Sequence, residues 1–300
     1  MSALEISRRL VKAKNPCAQG FRWLLRHHPD GHDYQPLLDA LVADGRVDDA
    51  CWLLDQFGPT HAVLRLDRLA GEAIVFAGSL DVRGDIDVGT VLRVGRTLRA
   101  GGYVRVGGAA RAGGDIVVDG GLETGSIEAG GDVHALRLDI EGAVRVEGQL
   151  RTTQDVVCQQ DLDVRGRVAV GGALVSRGRV HCGRSLQVRG DLQADGDIRA
   201  GEGILVCGAV HAGAHLDAGQ GIRAGDSIAA GGAIRAGESL ASPETITAGP
   251  GYGVFAGLCV QQDEWPTSAR VQARVKPEGL MSGWWESVQN AADGPALVRP

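Results

Sequence analysis

The sequence predicts a mainly β chain: a triangular parallel β-solenoid of about 18 residues per coil, preceded by a small α-helical unit. Three observations predict it. A six-residue pattern of aliphatic, glycine and small residues runs from Ser79 to Pro250. The composition of 46 glycines with 4% aromatics and only 10 prolines suits a narrow column. Outward charges on the row from Arg145 mostly alternate in sign from one hexad to the third one after it. Glycine on this scale without a three-residue period or abundant proline is not collagenous. With 44% hydrophobic and 23% charged residues, the chain can bury a core.

The repeat opens as SLDVRG, DIDVGT, VLRVGR, TLRAGG, YVRVGG, AARAGG and DIVVDG. A slipped stretch follows, GLETG, SIEAGG, DVHALR and LDIEG, in which two units are one residue short. From Ala143 the phase holds for eighteen units, ending in TITAGP. Of the 25 in-phase hexads, 24 carry Leu, Ile or Val at the second position, the exception being Ala110. All 25 carry Val, Ala, Ser, Thr or Cys at the fourth, and 22 carry glycine at the fifth or sixth. Alternation over four residues turns positions two and four to one face of a short strand and one and three to the other. Glycine then admits the positive φ expected at a tight corner. Such a unit cannot bury its apolar row alone, but stacked on copies of itself it can. Between Ser79 and Pro250 the only aromatic is Tyr103, at a first position.

Third positions test the coil length. Taken from every third hexad they read Arg145, Asp163, His181, Arg199, Asp217 and Arg235; Asp81 meets Arg99 and Asp87 meets Arg105 at the same spacing. Opposite charges on neighbouring strands favour a ladder and like charges weaken it. Three hexads per coil follow, and the repeat from Ser79 to Pro250 gives nine to ten coils.

In the left-handed hexapeptide acyltransferases a small residue precedes the bulky aliphatic by two. Here the bulky residue comes first, as in Leu80 then Val82 or Ile222 then Ala224. The units GDIRAGE and GGAIRAGE resemble the repeats of bactofilins and of the β-helical part of the flagellar-assembly protein A family. The resemblance covers residues 79–250. It implies a right-handed triangular solenoid that polymerises end to end without nucleotide, in a bacterium. The chain departs from that pattern in having more coils and folded flanks.

The organisation expected is a helical unit over 1–60, the solenoid over 61–250 and a C-terminal cover over 251–300. In the first, Asn15-Pro16 reads as N-cap and first-turn proline of a helix to about His28, broken by Pro29-Asp30-Gly31. A second helix fits Tyr34 to Ala43. A third has Val47, Ala50, Cys51, Leu54 and Phe57 at helical spacing and stops at Gly58-Pro59. Residues 61–78 return to alternation through Val63, Leu64 and Leu66. The helical unit is expected to cap or dock a solenoid end, because a bare end invites another chain to pair. After Pro250 aromatics return. Ala269–Val275 reads as an edge strand, Trp284 and Trp285 as residues buried in the cover rather than an exposed anchor, and 288–300 as a loose tail.

No catalytic, cofactor or metal site is expected. His27, His28 and His32 with Asp30 and Asp33 form the densest ligand-type cluster, and a polar helix-ending loop accounts for it equally well. His134, His181, His211 and His215 raise the acyltransferase reading, in which a histidine between coils acts as base. The long block lacks the projecting loop such enzymes carry, and outward positions make His181 and His211 solvated ladder members. Cys158 and Cys182 lie at inward fourth positions four hexads apart and so on different faces, where a small apolar side chain suffices. Strings such as Gly201-Glu202-Gly203 lack the strand-to-helix setting of a phosphate loop. The row Val157, Val175, Gln193, His211, Ala229, Thr247 is poor in charge, a face on which the chain's own termini, a second copy or a partner packs.

The net charge of −6 argues against nucleic acid, no apolar run is long enough for a membrane span, and six irregular cysteines fit a reduced chain. The expectation is a cytoplasmic, non-enzymatic scaffold that self-associates through solenoid ends or the uncharged face, without membrane insertion. The alternatives are a monomeric or dimeric protein-binding module, an adaptor or inhibitor, and, remotely, a hexapeptide-type acyltransferase.

Overall fold

Alternation every second residue, bent at every sixth, yields parallel strands stacked into a right-handed triangular β-solenoid. The computed structural model describes residues 5–28 and 32–288. It divides into two compact units, Met1–Gly131 and Asp132–Pro300.

The first unit begins with four helices, α1 (Arg8–Ala13), α2 (Ala18–His27), α3 (Tyr34–Ala43) and α4 (Val47–Phe57). The last two fall where the sequence placed them, and α4 ends on Gly58 at φ 78°. The entry to α2 differs. Its N-cap is Cys17, whose thiol accepts from the Gly20 N–H, while Asn15 sits at φ 53° just beyond the end of α1. Asn tolerates the left-handed conformation that ends helices, so Asn15-Pro16 stops one helix instead of starting the next. A short antiparallel pair joins Glu5–Ile6 to His32–Asp33. The break expected at Pro29-Asp30-Gly31 lies outside the described residues.

Trp23, Leu24, Leu37, Leu38, Leu41, Leu53 and Leu54 form one buried cluster with Val75 and Ala77 of the first coil. That shared core is why the helices and the first coils make a single unit. Its solenoid part has four strands on one face, Val63–Leu66, Ser79–Val82, Leu98–Ala100 and Ile116–Val118. The other two faces run together as long strands, Leu69–Phe76, Ile86–Val94, Val104–Ala112 and Gly121–Ala129. Ile86 lies beside Val104 and Leu92 beside Ala110, each pair one coil apart. The short unit GLETG is absorbed by a register shift between Thr124 and Ser126.

In the second unit each short strand pairs with the third strand after it, one full coil on. One stack runs Val144, Leu162, Val180, Ile198, Leu216, Ile234. A second runs Leu150, Val168, Leu186, Ile204, Ile222, Leu240. The third runs Val156, Leu174, Leu192, Val210, Ile228, Ile246. The short unit LDIEG appears as a step from Val133 to Leu150, one residue less than a full coil. Second- and fourth-position side chains are buried from Val144 to Ile246, and the last fourth-position residue, Ala248, is half-buried. Where the fourth is polar its hydrogen goes to a backbone carbonyl: Ser176 Oγ to Gln160 O at 2.8 Å, Ser242 Oγ to Asp226 O at 2.7 Å, Thr152 Oγ1 to Gln154 O at 2.9 Å. A buried hydroxyl without such a partner would cost about 1–3 kcal/mol.

Two expectations change. Among the described residues positive φ in glycine is confined to Gly45, Gly58, Gly251, Gly257, Gly279 and Gly283, none of them a hexad corner. Where a corner carries glycine, the coils stack too closely for a side chain without local adjustment: a Cβ on Gly237 would stand 1.9 Å from Gly219 O. Coiling also runs beyond the hexads at both ends, through Val63–Phe76 and past Pro250, so the turns number about 12 where the hexads alone give nine to ten. Val254 pairs with Ile234 and then Leu280, and Val271 with Leu240 and then Trp285. The strand Arg270–Ala273 is therefore internal, not an edge lying over the last coil. Its corners have swollen into loops, which erases the hexad while the two-residue alternation survives.

Candidate interaction surfaces

The outward rows place the polar residues singled out in the sequence. On the first stack Arg145, Asp163, His181, Arg199, Asp217 and Arg235 are register neighbours. His181 Nδ1 lies 3.2 Å from Asp163 Oδ1, and Asp217 receives both Arg199 and Arg235 at 3.4 Å. A groove of about 550 Å³ runs along this ladder, lined by Arg145, Asp163, Arg177, Arg179, His181 and Arg199. Cations and carboxylates interleave there and mostly satisfy one another.

A second carboxylate series went unread in the sequence. First-position aspartates cap the coil above: Asp155 Oδ1 accepts from Ala173 N at 2.8 Å, Asp161 from Arg179 N at 2.8 Å, and Asp191 from Ala209 N at 2.9 Å. The glycine before each of the three donors makes room, since a Cβ on Gly172 would lie 2.0 Å from Asp155 Oδ1 and one on Gly208 2.1 Å from Asp191 Oδ1. The Arg179 guanidinium and N–H hold the Asp161 carboxyl below its ordinary pKa. The legible signal was Asp at position one with glycine just ahead of the position one coil on. His215 occupies the same post: its Nδ1 accepts from Ala233 N at 3.0 Å, and its ring meets Tyr252 edge-on.

The four solenoid histidines do not converge. His134 stands beside Arg151 on the second stack, His181 on the first, His211 between Gln193 and Ala229 on the third, and His215 at a corner. From Val144 to Leu240 every corner spans three residues, without a projecting loop. Cys158 and Cys182 lie buried on different stacks, bonded to Gly142 O and Gly166 O, and burial raises both thiol pKa values. Among the described residues no three His, Cys, Asp or Glu side chains gather as metal ligands. His27 Nδ1 is 3.0 Å from Trp23 O and its ring stacks on Trp23; Asp30 lies outside the described residues. The Gly201-Glu202-Gly203 string is a corner between two strands.

On the charge-poor row, Val157, Val175 and Ala229 are half-buried while Gln193, His211 and Thr247 are exposed. The second stack carries a groove of about 510 Å³ past Arg151, Ala169, Gln187 and Leu205, with Leu205 exposed.

The tryptophans also depart from expectation. Trp284 is 52% exposed and Trp285 36%, and Met281, three residues ahead of Trp284 in the chain, is exposed too. Register explains the difference between the two. Trp285 continues the inward row of Leu240 and Val271, with no coil beyond it among the described residues, and Trp284 continues the outward row of Arg270. Their strand, Trp284–Ser287, has its outer edge unpaired among those residues.

The first unit finishes its sheet differently. Gln35 of α3 donates from Nε2 to Val75 O and accepts at Oε1 from Ala77 N, both at 2.9 Å. A side-chain amide so takes the place of a missing strand along Leu69–Phe76. The neighbouring first strand, Val63–Leu66, keeps a free edge among the described residues, with Leu64 37% exposed.

The YdhT N-terminal domain family matches residues 1–60, the span of the four helices and the turn after them. Comparison with curated proteins and with solved structures gives no significant match.

Proposed function

We propose that the chain is a non-enzymatic scaffold, similar in its solenoid to the bactofilins, that associates with itself through its C-terminal coil. The observation carrying this reading is the strand Trp284–Ser287, whose outer edge is unpaired among the described residues, with its own Trp284 and Trp285 exposed and Met281 exposed just ahead of it in sequence. Unpaired strands template pairing with another chain, and aromatics and Met are enriched in interface cores. The same patch on two copies is self-complementary and closes after two. The six unpaired cysteines fit a reducing compartment, and this reading places the protein in the bacterial cytoplasm.

Sedimentation velocity across the micromolar range tests it. The wild-type chain is expected to sediment as a dimer, and Trp284→Ser with Met281→Ser to shift it to monomer. A wild-type monomer at every concentration would refute self-association. That result would favour a protein-binding module presenting the groove at Leu205.

A further inference from the structure

The overall charge of −6 conceals a strong asymmetry. Residues 5–28 carry Arg8, Arg9, Lys12, Lys14, Arg22 and Arg26 against Glu5 alone, a net of +5. All six cations are exposed, and among the described residues none forms an ion pair. Four aspartates of the following helices have donors other than these six cations, and Asp49 also accepts from the Cys17 thiol. Asp39 accepts from Gln35, Asp44 from Trp23, Asp49 from Arg46 and Asp55 from Arg93.

The cations do not stand alone. On α2, Trp23 and Leu24 face the core, so helical spacing sets Phe21 and Leu25 in a row at the border of that face and Arg22 and Arg26 in the row beside it. Leu25 is 40% exposed, and on α1 Leu10 is 51% exposed between Arg9 and Lys12. Exposed aliphatics set among cations fit a surface that is anionic outside and hydrocarbon beneath. A phosphodiester backbone offers such leucines no apolar contact.

From this we infer that the α1–α2 face docks peripherally on a bilayer containing anionic phospholipid, its cations meeting headgroups and Leu10 and Leu25 entering the interface. No helix among the described residues is long and apolar enough to cross a membrane, and docking needs none. The attraction is electrostatic, so it weakens as salt shortens the screening length.

Flotation of the full chain with vesicles tests this, because self-associated protein stays at the bottom of the gradient unless lipid carries it. At low salt the chain is expected to float with phosphatidylcholine vesicles holding about 30% phosphatidylserine, and not with phosphatidylcholine alone. Losing roughly fivefold per cation, Arg22→Gln with Arg26→Gln is expected to bind about 25-fold more weakly. Arg22→Lys with Arg26→Lys keeps the charge and is expected to retain binding, which separates charge loss from misfolding. Leu25→Ser is expected to weaken binding with every charge in place. Absence of flotation, or equal flotation with neutral vesicles, would overturn the proposal. So would a Leu25→Ser variant that binds normally while a DNA duplex competes fully, since the face would then be a general polyanion site.

Discussion

At Val75 and Ala77 the backbone groups that a preceding coil would take are met by the Gln35 amide, whereas the outer edge of Trp284–Ser287 meets no described residue and is flanked by exposed aromatics. Both strands close a stack that gains its stability from having neighbours above and below. One is finished by a polar side chain from a packed helix. The other ends in side chains too large for the column. The difference teaches that a solenoid end becomes inert when its hydrogen bonds are satisfied, and adhesive when apolar bulk is left beside an open edge.

Comparing a middle coil with a terminal one gives the largest expected effect. Leu98→Ala empties a fully buried site in a column held on both sides, and is expected to cost about 3 kcal/mol in denaturant unfolding. Leu64→Ala, at the open first coil, is expected to cost about 1.5 kcal/mol, since the removed atoms are already partly in water. Equal costs would mean that the first coil is as enclosed as the middle. Gln35→Leu comes next. It orphans a carbonyl and an N–H at the covered edge, and about 2 kcal/mol of destabilisation is expected. Sedimentation of the same variant should show new association if the amide is what keeps that edge unpaired.

The smallest effect concerns the corner carboxylates. The folded-state pKa of Asp161 is lowered, so its contribution is fully present above the ordinary carboxylate value of about 3.9 and fades as pH falls through the depressed one. The side chain is 45% exposed, which discounts the pair to about 0.5 kcal/mol. Asp161→Asn is therefore expected to unfold about 0.5 kcal/mol earlier at neutral pH and to match wild type in strong acid. A gap that persists in acid would show that the cap acts through shape and not charge.

Much of the solenoid was legible because its period is written in side chains. Ile222 and Ala224 announce an inward pair, and Arg145 with Asp163 announces the coil length, since neither needs information from a distant segment. The corners were misread because φ is a local quantity whereas the contact of Gly237 with Gly219 O crosses coils. Asn15-Pro16 misled because the same two residues serve a helix start and a helix stop, and only the presence of α1 decides between them. Trp284 and Trp285 were assigned to a buried cover because bulk usually hides. That assignment failed where the column ran out of coils. The α1–α2 face was invisible to a whole-chain charge, which averages it against the aspartates of α3 and α4.

By itself the sequence determined the strand alternation, the length of a coil and the inward and outward identity of nearly every hexad residue, because each follows from covalent spacing along an extended chain. Only the tertiary structure decided how the two ends of the repeat are finished, which carboxylates cap which coils, and where unpartnered charge and apolar surface lie. Those outcomes depend on segments far apart in sequence competing for the same backbone groups.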